Sequence, residues 1–166
     1  MNVLKIVDIV DIGIEKEKAR QRFYDRVSQH FEDSELKELF TKLRDWEAAH
    51  VKKFQTIRGR LKELDSVESY PGELKSYMHA LLDDKLYLDV TEEDFNKNVN
   101  SPLDAIQYGI GFEKDAILLF MELLTYVSTG DKEAILELMA EERKHIVFLI
   151  NLRKRFMEKM KIPNSE

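Results

Sequence analysis

The chain has 166 residues and a mass of 19.6 kDa, the size of one domain with room for a real core. Hydrophobic residues make up 43% and charged residues 35%, with only 6 Gly and 3 Pro, which excludes collagen, low-complexity disorder and turn-rich sandwiches and leaves mostly helix. A net charge of −6 and a pI near 5.4 offer no electrostatic footprint for nucleic acid or anionic lipid, and the absence of Cys excludes disulfides, thiolate zinc sites, Cys-ligated iron–sulfur clusters and thiol catalysis.

The apolar start, residues 1–12, is broken by Asp8 and Asp11 and lacks a cleavage signal. It is expected to be neither a secretion peptide nor a membrane span, which places the protein in the cytoplasm. Apolar residues at helical spacing then predict four long helices. The first runs from about Asn2 to Phe31. After a break at Glu32, Asp33 and Ser34, a second carries Leu36, Leu39, Phe40, Leu43, Phe54, Ile57 and Leu61 and ends near Asp65. So short a link implies an antiparallel hairpin.

Residues 66–100 form a crossover with a Pro71-Gly72 break, an amphipathic piece from Glu73 to about Leu86, and a capping start at Thr91. The third long helix opens at Ser101-Pro102, where Ser101 caps and Pro102 has no amide hydrogen to leave unpaired. Gly130 suits a left-handed cap at its end, and Asp131 a cap for the fourth helix, which carries Ile135, Leu138, Met139, Ile146, Leu149 and Leu152 and stops before Pro163. Met121, Met139, Met157 and Met160 are expected to fill core gaps or helix contacts. The expected fold is all-α, a single domain over residues 1–166 built as a four-helix bundle of two antiparallel hairpins joined by a long crossover with short helices.

Two of the four His lie three residues after a Glu, in Glu47-Ala-Ala-His50 and Glu142-Arg-Lys-His145. Glu17 precedes Glu47 by 30 residues and Glu113 precedes Glu142 by 29, so each hairpin has one lone Glu followed by one Glu-x-x-His. The halves read as an internal repeat, with Glu17 to Tyr24 running parallel to Glu113 to Phe120. Antiparallel packing about the two turns sets all six residues at nearly one height. Glu17 shares its stripe with Val10, Gly13, Tyr24, Val27 and Phe31, whereas Glu15 shares one with Asp8, Lys18, Arg22 and Arg26. Glu17 therefore faces the core, as Glu47, His50, Glu113, Glu142 and His145 do by the same test.

Four carboxylates among apolar side chains are costly unless protonated or neutralised. Two divalent metals balance them without any buried Lys or Arg, and neutral His completes each sphere. One Glu from each of two helices and Glu-x-x-His from each of two others is the donor set of dinuclear iron or manganese carboxylate centres in bundles. His30 and His79 lack the preceding Glu and are expected at the surface or behind the ligands. Glu141, Arg143 and Lys144 read as a charged exterior, and Trp46, about 100° round the helix from Glu47, reads as packing.

These residues resemble the ferritin-like superfamily, and within it rubrerythrin-like di-iron proteins. The resemblance spans nearly the whole chain and is carried by Glu17 before Phe23-Tyr24, by Trp46-Glu47-Ala-Ala-His50, by Gly111-Phe112-Glu113-Lys114-Asp115, and by Glu141-Glu142-Arg-Lys-His145-Ile146. It implies two Fe ions per chain, bridged at Glu47 and Glu142, held singly by Glu17 and Glu113, and completed by His50 and His145. It further implies that Tyr24 hydrogen-bonds a ligand carboxylate.

Rubrerythrins carry a rubredoxin domain with four Cys, which this chain lacks, so a separate electron donor such as a rubredoxin-like protein is expected. Their extra Glu one turn after the third-helix ligand corresponds to Ala116. The expected function is a di-iron oxidoreductase acting on peroxide or dioxygen, in a homodimer or larger homo-oligomer. The alternatives are ferroxidase or iron-storage activity and a structural bundle with a vestigial site; manganese in place of iron fits the same donors.

Overall fold

The structure, a computed structural model, describes residues 5–61 and 91–161. Among these residues it contains five helices: α1 (Ile6–His30), α2 (Ser34–Arg60), α3 (Glu92–Asn98), α4 (Pro102–Leu123) and α5 (Thr129–Lys161). The predicted pieces at Pro71-Gly72 and Glu73 to Leu86, and His79 with them, lie outside the described residues.

Local chemistry sets most helix ends. Asp33 accepts from the Leu36 amide at 3.1 Å to start α2. Thr91 and Ser101 accept from the amides of Asp94 and Asp104 to start α3 and α4, the latter with Pro102 in its first turn. At the start of α1, Asp8 accepts from the Lys5 amide at 2.8 Å. The link between α4 and α5 differs from the sequence expectation. Helix α4 closes through tight turns, with Thr125 and Tyr126 amides donating to Glu122 and Leu123 carbonyls at 3.0 Å, so no left-handed glycine is needed. Gly130 lies inside the first turn of α5, and the Ser128 carbonyl accepts from the amides of Asp131 and Lys132.

The four long helices form the bundle: α1 packs on α2, α4 on α5, α1 on α4, and α2 on α5. Their apolar faces make two separate clusters. One gathers Ile6, Val10, Phe54, Ile57, Phe120, Leu123, Ile135 and Leu138; the other gathers Phe23, Tyr24, Phe40, Leu43, Ile106, Ile110, Leu149 and Leu152. Helix α3 closes the second cluster with Phe95, whose ring stands 5.7 Å from Phe23. Gly109 eases the close approach of α4, since a Cβ there would lie 3.1 Å from the end of the Leu149 side chain, which would have to shift, and 3.5 Å from Tyr24. Of the four methionines expected at contacts, Met139 is buried, whereas Met121, Met157 and Met160 stand exposed.

Phe54 is fully buried and meets the Phe120 ring at 5.2 Å across the first cluster. Phe54→Ala is expected to destabilise the fold by about 3–5 kcal/mol, checked by chemical denaturation. A cost below about 1 kcal/mol would contradict this packing.

Candidate metal centre

Between the two apolar clusters lies a polar layer. Each of the four long helices contributes to it in mid-length: Glu17 from α1, Glu47 and His50 from α2, Glu113 from α4, and Glu142 and His145 from α5. All four carboxylates and His50 are inaccessible to solvent, and His145 is only 4% exposed. Glu17, Glu47, His50 and Glu142 each offer a donor atom within 4.8 Å of the others, and so do Glu47, Glu113, Glu142 and His145. Glu47 and Glu142 belong to both sets. All six residues nominated from the sequence thus meet in one layer, while Glu15 points outward to Lys18 and His30 is exposed.

Among the described residues, seven buried atoms in this layer have no hydrogen-bond partner: Glu17 Oε2, Glu47 Oε1, His50 Nδ1, Glu113 Oε2, both Glu142 oxygens and His145 Nδ1. His145 Nδ1 approaches Glu142 Oε2 to 2.7 Å, and His50 Nδ1 approaches Glu142 Oε1 to 3.1 Å, without hydrogen-bond geometry. Buried polar atoms are rarely left unpaired, and here each ligand residue aims at least one such atom into the layer. Oxygen and imidazole donors converging in this way fit divalent iron or manganese. The residues present therefore suit a dinuclear metal centre.

Three neighbours were not assigned this role by the sequence. The first is Arg20, 3% exposed, whose guanidinium pairs with Glu17 Oε1 and reaches Glu47 Oε2 at 3.5 Å. This corrects the expectation of a layer balanced without a buried base. Two divalent ions would match the four carboxylates, and Arg20 adds a further positive charge.

The second is Glu141, which does not simply face solvent. Its Oε2 lies 2.8 Å from His50 Nε2 and its Oε1 accepts from Lys53 at 2.9 Å. It holds the His50 ring so that Nδ1 faces the layer. The third is Trp46, which stacks on His145 with ring centroids 4.8 Å apart and planes inclined by 7°. Trp46, His145, Glu141 and Lys53 line a surface depression of about 420 Å³, which meets the layer at His145. Tyr24 donates its hydroxyl to Glu113 Oε1 at 2.6 Å.

The protonation states follow from burial and mutual charge. Burial, reinforced by the Glu142 charge, pushes Glu113 up to about 8. The same causes hold Glu47 well above the usual carboxylate range. Burial opposes the charge on Glu17, but the Arg20 guanidinium together with hydrogen bonding to Glu47 and His50 outweighs it and keeps this carboxyl low. Burial also opposes charge on His145, and the carboxyls of Glu113 and Glu142 more than reverse it, raising the ring to about 9. Burial and the Glu113 charge raise Tyr24, so its phenol keeps the proton it donates. Burial opposes charge on His50 too, and the carboxyls of Glu142, Glu17 and Glu47 reverse it and hold that ring well above its usual range. Without metal at neutral pH, protons therefore occupy Glu47, Glu113 and both imidazole rings.

No protein-family model and no curated protein matches the chain. Among solved structures it is similar to a protein of Thermotoga maritima described as a candidate ferritin-like diiron-carboxylate protein, with a TM-score of 0.71 at 22% identity over 93% of this chain and 97% of the other. The fold is therefore that of a ferritin-like helical bundle. Among the described residues no helix is long and apolar enough to cross a membrane.

Metal ligation needs deprotonated donors, so binding must displace the protons held at Glu113 and His145, near 8 and 9. Divalent-metal affinity is expected to rise from pH 6 to about pH 9 with release of protons, measured by calorimetry in buffers of different ionisation enthalpy. Affinity independent of pH would contradict these protonation states. Trp46 is the only tryptophan of the chain, so its emission is expected to quench as a paramagnetic metal loads beside His145; unchanged emission in loaded protein would contradict the stacking.

Proposed function

We propose that the chain is a non-haem di-iron oxidoreductase of rubrerythrin-like type, reducing peroxide or dioxygen with electrons from a separate carrier. The observation that carries this reading is the sharing of Glu47 and Glu142 between two four-residue donor sets, each completed by its own Glu and His. Such sharing suits two metals held as a pair, with Glu17 and His50 completing one position and Glu113 and His145 the other. Bound there, two irons supply one-electron exchange and Lewis acidity toward an oxygen substrate.

The protein's own contribution is positioning and exclusion. Glu47 and Glu142 would be shared between the two metal positions, while Glu141 keeps the His50 ring oriented. Tyr24 holds its proton at the hydroxyl and donates it in a hydrogen bond to Glu113 Oε1 at 2.6 Å, which would fix the orientation of that carboxyl toward a metal. The two apolar clusters keep bulk water from both ends of the layer. At the position where rubrerythrins have an extra Glu, Ala116 is buried and brings no carboxylate, so the proposed cycle uses the symmetric set of four Glu and two His.

With no Cys in the chain, a rubredoxin-like protein or another external carrier supplies the electrons. The same donors accept manganese, and elemental analysis distinguishes the two metals. The reading includes a cytoplasmic site of action and self-association, the latter supported by the large apolar side chains of Leu118, Met121 and Leu136, each about half exposed.

Glu142→Ala removes a carboxylate common to both donor sets. The variant is expected to lose most of its metal and all peroxide-dependent turnover, measured by elemental analysis per chain and by peroxide consumption with a chemical reductant. Wild-type turnover in this variant would overturn the proposed chemistry.

A further inference from the structure

The two hairpins repeat the ligands but not their neighbours. Three residues after Glu17 stands Arg20, and three after Glu113 stands Ala116; both are buried. Seven residues after Glu17 stands Tyr24, which donates to Glu113, and seven after Glu113 stands Phe120, which has no group to donate. Glu113 is thus held by a neutral phenol and Glu17 by a cation. Arg20 pairs with Glu17 Oε1 and lies 3.5 Å from Glu47 Oε2, on the side of the layer that holds the Glu17, Glu47, His50 and Glu142 set.

We propose that Arg20 makes the two metal positions unequal: the position framed by Glu113 and His145 fills first, and the position framed by Glu17 and His50 fills second and more weakly. The inference rests on the dinuclear reading above and assigns Arg20 the part of a positioning residue. A divalent ion entering beside Glu17 meets a fixed positive charge in a dry interior, where repulsion is far stronger than in water. Glu17 Oε2 has no hydrogen-bond partner, so an attachment point remains and binding is weakened, not blocked. Glu141 lies on the same side, behind His50, but its carboxylate is already paired with Lys53 at 2.9 Å and is partly exposed. It offsets only part of the Arg20 charge. Among the described residues no such base stands beside the other set, where the corresponding residue is the Ala116 methyl.

The test is anaerobic titration of the metal-free full chain with Mn²⁺, followed by calorimetry and by electron paramagnetic resonance at one and two equivalents. The wild type is expected to bind in two steps, the second weaker by about 10–100-fold. One equivalent should show an isolated-ion spectrum, and the second should convert it to a spin-coupled one. Arg20→Gln, which removes the charge, is expected to tighten the second step by about tenfold or more; Arg20→Lys, which keeps the charge, should preserve the gap. Glu113→Gln should abolish the tight step and Glu17→Gln only the weak one, and this pair decides the matter if Arg20→Gln fails to fold.

Equal steps in the wild type, an unchanged gap in folded Arg20→Gln, or loss of the tight step in Glu17→Gln would overturn the inference while leaving a dinuclear centre standing. A wild type that takes up neither Mn²⁺ nor Fe²⁺ would overturn the metal-centre reading itself.

Discussion

Four carboxyl groups in one dry layer are the constraint around which this molecule is organised. Without compensation their mutual repulsion and desolvation would exceed what a small domain can absorb. Every unusual feature of the interior answers that problem. Protons held by Glu47 and Glu113, positive charge on Arg20 and the two imidazoles, and the Tyr24 phenol each lower the cost in the metal-free chain. A metal pair bound there would replace the protons and satisfy donor atoms that have no partner within the protein. The same layer that threatens the fold is therefore the one whose donors suit a metal.

The packing follows from the same constraint. Because the layer crosses all four long helices at mid-length, the apolar core divides into two clusters, and each helix must be amphipathic on both sides of one polar position. The aromatic residues near the layer are correspondingly tight: Tyr24 lies against Phe40 at 5.6 Å and Phe23 at 5.9 Å, so its hydroxyl reaches Glu113 from a fixed ring. Gly109 admits that ring by keeping α4 close. The arrangement converts core packing into ligand positioning, with little left to side-chain freedom.

Much of this was legible in the sequence because a helix of known period turns residue spacing into direction. The stripes separated Glu17 from Glu15, and the two Glu-x-x-His pairs at matched distances from their turns placed six donors at one height. What stayed hidden involved reach more than angle. Arg20 lies on the Glu17 stripe, and the parallel between Glu17–Tyr24 and Glu113–Phe120 sets it opposite Ala116, yet polarity patterns treat an arginine as solvent-facing. Glu141 sits one position off the inward face, and its side chain still extends to the outer nitrogen of His50 on a neighbouring helix. Gly130 carried a cap signal, but the turns after Leu123 closed α4 first, and the glycine was absorbed into α5.

Each donor set draws three residues from one hairpin and one from the other, so neither hairpin encloses a position alone. Two copies of a single hairpin, arranged about a twofold axis, would nevertheless contain every ligand type in the number required. The chain is thus a covalent version of a symmetric pairing, and linking the halves permits what symmetry forbids. Arg20 opposite Ala116, and Tyr24 opposite Phe120, could not be specified independently in a homodimer of identical hairpins. Fusion lets the two donor sets of one scaffold be given different neighbours.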